Sequence, residues 1–264
     1  MPPNPGDLNM IGSVLLCLGG LGLFLLGMVV LTDGLRALAG RALRRVLSRF
    51  TRSPLSGAMT GAATTAVVQS SSATTVATVG FVGAGLLTFP QALGIVLGAN
   101  VGTTMTGWLV ALLGFKLELG TAALPIVLVG VLIRLFAGGR ASSAGFAVSG
   151  FGLIFVGISL LQEGMGGFVG VITPDSFPDN TWTGRLLLVA FGIGFTVLTQ
   201  SSSAGVAIAL AAVNASAMTV QQAAAAVIGM DIGTTVTAVL ATVGGSVHAK
   251  RTGYAHAAYN VFAG

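Results

Sequence analysis

The chain has 264 residues, of which 12 are lysine or arginine and 7 are aspartate or glutamate, and its mean hydropathy is +0.94. About a quarter of the residues of a soluble domain are charged, so a charged fraction of 7% is too small to cover a water-facing surface. The composition excludes a soluble globular protein and predicts an integral membrane protein. The net charge of +5 does not indicate nucleic-acid binding, because the basic residues lie in loops beside apolar segments, as the positive-inside bias requires.

The N-terminal part of the chain combines an apolar stretch with an arginine-rich one. The apolar residues at about 11–31 suffice for one spanning helix, since about 20 residues cross a bilayer, and we expect this helix to end at Thr32, Asp33 and Gly34. In residues 35–52, arginines alternate with leucine, valine and phenylalanine at helical spacing. This pattern predicts an amphipathic helix on the anionic cytoplasmic leaflet; the competing interpretation is a nucleic-acid-binding arm.

Beyond Pro54, plain apolar segments alternate with two that are interrupted by polar residues. Segments 55–87 and 184–217 carry serine, threonine or glutamine near their centres. A broken backbone at membrane depth needs protein or a water-filled cavity around it, so these segments predict re-entrant helical hairpins. Plain helices are expected at about 90–113, 121–137, 144–164 and 219–243, with a short loop at Lys116 and Glu118 and a final helix that starts at 252 and looks cut short at Gly264.

A five-residue phrase occurs twice in the chain. Gln-Ser-Ser-Ser-Ala begins at Gln69 and again at Gln200. The downstream stretch 98–104 returns at the same separation as 229–235, with the same Gly-Thr-Thr ending. Two copies of a polar cluster in an otherwise apolar protein predict one site at the junction of two related halves, which is a recurring plan in secondary transporters.

The basic residues indicate how the two predicted repeats, residues 1–140 and 141–264, are oriented in the membrane. If the first helix ends in the cytoplasm and each hairpin returns to its own side, ten of the twelve basic residues face the cytoplasm, including the arginines of residues 36–52. Lys116 and Arg185 then fall outside, which agrees with the positive-inside bias. The N-terminus is extracytoplasmic in this arrangement, and the repeats have inverted topology, which is linked to alternating access.

The Gln-Ser-Ser-Ser phrase offers ligands for both an anion and a cation. Its hydroxyls and its amide can each donate and accept hydrogen bonds. At a helix break, the N–H groups that open the next helix suit a tetrahedral oxyanion, and free carbonyl and hydroxyl oxygens suit a hard cation such as sodium. The opposing interpretation is that the hydroxyls only bond to their own helix or join neighbouring helices. The doubling of the phrase favours a binding site.

Asp231 is the acidic residue that we place inside the membrane, where carboxylates are costly and usually functional. It is predicted to bind a cation or to take up a proton; the alternative is a carboxylate in a water-filled vestibule. The chain contains no P-loop, no Cys/His metal-ligand spacing and no paired carboxylates in a defined site. The sequence therefore predicts neither an enzyme nor a bound cofactor beyond sodium as a coupling ion.

The doubled phrase, each copy followed at the same spacing by Gly-x-Asn/Asp-x-Gly-Thr-Thr, resembles the type II sodium–phosphate cotransporter family. The resemblance covers nearly the whole chain and implies an inverted-repeat fold with two re-entrant hairpins. It also implies sodium-coupled uptake of phosphate. By this likeness the phosphate ligands are Gln69, Ser70, Ser71, Gln200, Ser201, Ser202 and Asn100. With Asp231 included, the sodium ligands are Ser71, Ser72, Thr103, Thr104, Ser202, Ser203, Asp231, Thr234 and Thr235.

The chain departs from that family at two points. The family usually has asparagine in both copies of the second motif, whereas this chain has Asp231 in the second copy, which affects the expected coupling ion and the charge moved per cycle. Many bacterial members also carry a soluble helical regulatory domain, which we expect to be absent here. The chain is therefore expected to be a transport core.

These features define a leading function and two alternatives. The leading function is a secondary active transporter that imports phosphate with sodium by alternating access. The alternatives are a passive anion channel, which needs a continuous pore, and a membrane subunit that senses phosphate or scaffolds a partner without transport. The expected location is the plasma membrane, or the inner membrane of a bacterium. The expected partners are phosphate, sodium and lipid, without nucleic acid, and a homo-oligomer is compatible with the sequence.

Overall fold

The computed structural model describes residues 10–116 and 120–264, and within these ranges the chain forms helices and no strand. The helices are α1 Met10–Phe50, α2 Pro54–Val68, α3 Ser71–Gly83, α4 Phe89–Leu109, α5 Gly120–Phe136, α6 Gly139–Gly166, α7 Trp182–Thr199, α8 Ser202–Asn214, α9 Val220–Leu240 and α10 Val247–Ala263. A π-helical segment at Val110–Lys116 continues α4, and a 3-10 turn at Pro174–Ser176 precedes α7. The predicted all-α class is confirmed.

Five helices of the described part are long and apolar enough to cross a bilayer. They cover Met10–Ala39, Phe89–Gly114, Gly139–Gly166, Trp182–Thr199 and Val220–Leu240. The chain is therefore a multi-pass membrane protein. The 13-residue helices α3 and α8 are about 20 Å long at 1.5 Å per residue, too short for a hydrocarbon core of about 30 Å. The re-entrant path of the two hairpins stays a prediction, since α7 is long enough to cross by length alone.

The predicted break at Thr32 to Gly34, with a separate helix over 35–52, is wrong. Helix α1 is continuous from Met10 to Phe50 and, at about 60 Å, is roughly twice as long as a bilayer core is thick. Gly34 does not end the helix, because it lies against the backbone of Ala147 in α6, where a side chain would not fit. The glycine that the sequence pattern marks as a helix end is therefore a site of close packing between two helices. The membrane-surface location of the arginine-rich part stays a prediction.

Helix boundaries recur at the separation found in the sequence. The offset from Gln69 to Gln200 also relates both ends of α3 to those of α8, and both ends of α4 to those of α9. Helix α2 packs on α4 and α7 packs on α9, while α1 packs along α6, which is the helix at the start of the predicted second half. The boundary predicted between residues 140 and 141 falls in the first turn of α6.

Two equivalent glutamines anchor the starts of α4 and α9. Gln91 completes a capping box with Thr88, and its Nε2 donates to the Thr51 carbonyl at 2.8 Å. Gln222 completes the same motif with Thr219, and its Nε2 donates to the carbonyls of two prolines in the segment that precedes α7. Each glutamine thus satisfies the open N–H groups of a helix end and fastens that end to the chain before the hairpin.

The remaining predictions about the chain's course concern residues 1–9 and 117–119. The extracytoplasmic N-terminus depends on the first range, and the Glu118 part of the predicted loop falls in the second, whereas Lys116 ends the π-helical segment. Both ranges lie outside the described residues.

Candidate functional site

Both Gln-Ser-Ser-Ser phrases interrupt a helix at the same point. Gln69 ends α2 in the left-handed region (φ 56°, ψ 32°), and Ser70 opens α3 in an extended conformation (φ −151°). Gln200 ends α7 at φ 54° and ψ 24°, and Ser201 opens α8 at φ −142°. Residues other than glycine seldom adopt a positive φ, and such backbone conformations concentrate at functional sites. The predicted helix breaks are therefore present in both copies.

The glutamine side chains hold these turns in place. The Oε1 of Gln69 accepts a hydrogen bond from Thr106 of α4 at 2.9 Å, and its Nε2 donates to the carbonyl of Ala66. The Oε1 of Gln200 accepts from Thr237 of α9 at 2.8 Å, and its Nε2 donates to the preceding helical turn. The amide that was predicted to bind phosphate thus already bridges the turn to the neighbouring helix. Thr106 and Thr237 are absent from the predicted site, although they too are related by the offset of the repeat.

Replacing Thr106 by valine removes the donor to Gln69 Oε1 while keeping the shape of the side chain. Thr106 is 5% exposed, and an acceptor left unpaired in a buried place costs about 1–3 kcal/mol. We expect Thr106→Val to lower the melting temperature of the purified protein by a few degrees. The control is Thr242→Val, because that buried hydroxyl donates only to the nearby carbonyl of Val239. An equal decrease of the melting temperature in both variants would contradict a special role for Thr106.

The serines of each phrase divide into two kinds. Ser70 and Ser201 are N-caps whose hydroxyls accept from the N–H groups of Ala73 and Ala204 at 3.2 Å. The hydroxyls of the other four serines have no hydrogen-bond partner within the described part of the chain. These four are Ser71, Ser72, Ser202 and Ser203. The glutamine and the first serine therefore build the turn, and the second and third serines keep their hydroxyls available to a ligand.

The two turns line one cavity, which we call the serine cavity. Its volume is about 270 Å³, and it is lined by Gln69–Ser72, by Thr199–Ser203 and by α1 residues from Leu25 to Arg36. Helices α3 and α8 both open at this cavity. The first N–H groups of a helix lack intrahelical acceptors and carry partial positive charge. Two such ends beside free hydroxyls form an environment that favours an anion.

Arg36 is the functional candidate that the sequence pattern missed. We expected it on a lipid-facing basic surface, but its Nη2 donates to the Ser70 Oγ at 3.1 Å and its side chain lines the serine cavity. Its Nη1 lies 3.8 Å from the Oδ1 of Asp33, one helical turn earlier. The available signal was two opposite charges spaced for one helix face, at the point where the apolar part of the helix ends.

The second motif lines a different cavity, of about 680 Å³, with mostly apolar walls from α4, α8 and α9. Four predicted residues line this cavity and not the serine cavity, namely Asn100, Thr103, Thr104 and Asp231. Ser202 and Ser203 line both cavities, so the two spaces adjoin at the start of α8. Thr234 and Thr235 line neither cavity and donate to carbonyls of their own helix. The structure thus places the predicted residues at the serine cavity, at the second cavity or, for Thr234 and Thr235, at neither.

Helix α10 supplies two polar residues to this second cavity region. Asn100 donates to Asn260, and the Oδ1 of Asn100 lies 3.3 Å from the Nε2 of His256. Asn260 also donates to the backbone carbonyl of Asp231 at 3.2 Å. These contacts join α4, α9 and α10. His256 and Asn260 are four residues apart on one helix face, a spacing that could have drawn attention to them.

The described residues contain no group of three or more histidine, cysteine, aspartate or glutamate side chains able to hold a metal ion. Serine, threonine, asparagine and single carboxylate oxygens are ligands suited to hard monovalent or divalent cations. Both cavities contain some oxygen ligands of that kind, although the walls of the second are mostly apolar.

Comparison with known proteins identifies, over most of the chain, the family that the sequence motifs resemble. The family model described as Na+/Pi-cotransporter matches residues 23–163 and 177–262, and each stretch contains one Gln-Ser-Ser-Ser phrase. YqeW of Bacillus subtilis is 34% identical over 90% of this chain and 76% of its own length. No solved structure gives a significant match.

Two further relatives carry functional names. A protein named putative inorganic phosphate export protein YjbB, from Escherichia coli, is 30% identical over 90% of this chain but only 43% of its own length. The human protein named sodium-dependent phosphate transport protein 2B is 35% identical over 39% of this chain and 15% of its own length. The chain thus spans less than half of these two relatives. By the extent of the family match, it belongs to the Na+/Pi-cotransporter family, a family of transporters.

Proposed function

We propose that this protein is a secondary transporter that moves inorganic phosphate together with sodium across the membrane. The observation that carries the proposal is that two helix N-termini meet at one cavity with four serine hydroxyls that have no partner among the described residues. Phosphate needs several donors arranged around a tetrahedron, and hydroxyls with helix N–H groups supply them. The family membership and the names of the relatives support the same substrate.

Alternating access is the proposed mechanism. In this proposal the two hairpins are re-entrant, enter from opposite sides, and belong to inverted repeats around the serine cavity. The contacts support such a symmetric arrangement, because α4 packs against α8 and, reciprocally, α9 packs against α3. Each repeat therefore touches the short second arm of the other repeat's hairpin. A relative movement of the two halves would then change the shape of the serine cavity, because both halves contact the helices that open at it.

The direction of transport has two candidates. Sodium-driven import is the first, and phosphate export is favoured by the name of YjbB, which matches 90% of this chain. A carrier that couples two solutes moves them in whichever direction their combined gradients favour. Both directions therefore use the same site, and the gradients decide between them.

Sodium is proposed to bind near the serine turns and in the adjoining second cavity. Ser202 and Ser203 line both spaces, and Asp231 contributes a carboxylate to the second. Within this proposal Thr103 and Thr104 have a supporting role, because their hydroxyls already donate to carbonyls of their own helix. The same holds for Thr234 and Thr235.

Asp231→Asn tests whether that carboxylate binds the coupling cation. Loss of its charge is expected to raise the sodium concentration for half-maximal phosphate transport several-fold, because a neutral amide attracts a cation less than a carboxylate does. Sodium titrations of phosphate uptake measure this. Asp175→Asn, on the exposed turn before α7, is the matched control. An unchanged sodium dependence in Asp231→Asn would assign the carboxylate to a vestibule.

The purified chain in proteoliposomes provides the test of the proposed function. Labelled phosphate should accumulate when an inward sodium gradient is imposed, saturate with phosphate concentration, and leave again when the gradient is reversed. Phosphate accumulation that does not depend on the sodium gradient would contradict the proposed coupling. Flux that never saturates would indicate a channel, and binding without flux would indicate a sensing or scaffolding subunit.

A further inference from the structure

Within the described part of the chain, the charged residues that line the serine cavity both come from α1. They are Asp33 and Arg36, and the rest of the lining is hydroxyl, amide and apolar. Arg36 is therefore the lining residue that brings a full positive charge to a space otherwise equipped with neutral donors. An oxyanion entering the cavity meets this guanidinium at the start of α3, because Arg36 already contacts Ser70, the N-cap of that helix.

The link between Arg36 and Asp33 is weak. Their nearest side-chain atoms are 3.8 Å apart, and the two side chains are 45% and 55% exposed. Ion pairs that are this open contribute little to stability. The guanidinium carries five N–H donors in a planar fork that matches carboxylate and phosphate oxygens. A bound oxyanion can therefore replace Asp33 as its partner at small cost.

We propose that Arg36 binds the transported oxyanion directly and that Asp33 competes with the anion for the same guanidinium. This inference rests on the proposed function and adds to it a cationic ligand and its competitor. In the structure the guanidinium lies between Asp33 and Ser70. When a tetrahedral oxyanion binds among the hydroxyls of Ser71, Ser72, Ser202 and Ser203, Arg36 donates to it and the contact with Asp33 is given up.

A purely structural link between α1 and the first turn is the competing explanation for the Arg36–Ser70 contact. In that case the loss of either Arg36 or Asp33 would disturb the cavity, and both changes would weaken anion binding. In the proposed case the two changes act in opposite directions. Opposite changes in anion affinity for the two substitutions therefore distinguish the two explanations.

The experiment measures binding of radiolabelled inorganic phosphate to the purified full chain in nanodiscs, with sodium present. Arg36→Gln is expected to raise the phosphate Kd at least about tenfold, which corresponds to about 1.4 kcal/mol. Arg36→Lys keeps the charge without the fork and should give a Kd between those of Arg36→Gln and the unchanged protein. Asp33→Asn should lower the Kd about threefold or more, because the competitor loses its charge.

The matched control is Arg49→Gln, which removes the same charge from an exposed position on the same helix, outside the cavity lining. It should leave the phosphate Kd unchanged. The inference is overturned if Arg36→Gln binds phosphate as tightly as the unchanged protein, or if Asp33→Asn weakens binding. Should Arg36→Gln fail to fold, Asp33→Asn still decides. If the unchanged protein binds no phosphate, the proposed function itself fails.

Discussion

Replacing Ser71 and Ser202 together by alanine is expected to reduce phosphate transport by at least about a hundredfold while the protein still inserts and folds. Both residues occupy the first helical position after a turn and line the serine cavity, and their hydroxyls have no partner in the described part of the chain. A hydrogen bond to a charged group contributes about 1.5–3 kcal/mol. Losing one such bond from each turn therefore costs about tenfold or more per residue.

Initial rates of labelled phosphate uptake into proteoliposomes measure this effect. Ser143→Ala is the control, because its hydroxyl only reaches a carbonyl in its own helix at 3.5 Å. Ser70→Ala provides a contrast, since loss of an N-cap lowers stability by about 1 kcal/mol. We expect its melting temperature to fall, whereas the melting temperature of Ser71→Ala should hold. Uptake at the normal rate by the double alanine variant would remove the serine cavity from the mechanism.

A side chain at Gly98 is expected to separate two helices that hold the first turn in place. The Cβ of an alanine at residue 98 of α4 would overlap the carbonyl group of Ala58 in α2. Backbone atoms cannot move aside as the end of a flexible side chain can, and overpacking costs about 1–3 kcal/mol or more. Gly98→Ala should therefore lower the melting temperature by several degrees, and phosphate transport should fall with it, since Thr106 on the same helix holds Gln69.

Thermal unfolding of the detergent-solubilised protein provides the measurement for Gly98→Ala. The matched control is Gly80→Ala in α3, where an added Cβ meets nothing within 4 Å. That control should leave stability unchanged or raise it, because alanine favours a helix over glycine. Gly229→Ala extends the test to the second half, where the added Cβ would overlap Val189 of α7. Equal stability of the Gly98 and Gly80 variants would contradict close packing of α2 on α4.

Several properties of the protein depend on local residue types, and the sequence alone predicts them. The membrane location follows from the low charge and high hydropathy of the chain. The two helix breaks follow from polar residues concentrated at Gln69 and Gln200 inside apolar segments. A break is a local event, decided by which residues can end one helix and begin the next. The doubled phrase also predicts the positions of both turns of the candidate site.

The tertiary structure decided the properties that depend on contacts between distant segments. Gly34 lies inside a continuous helix because α6 packs against it, and nothing within α1 distinguishes that role from a helix end. Arg36 lines the serine cavity, and Asn100 with Asp231 lines the second one, because the packing of α1, α4 and α9 orients them. Residue spacing within one helix defines its faces, but only packing between helices decides what each face meets.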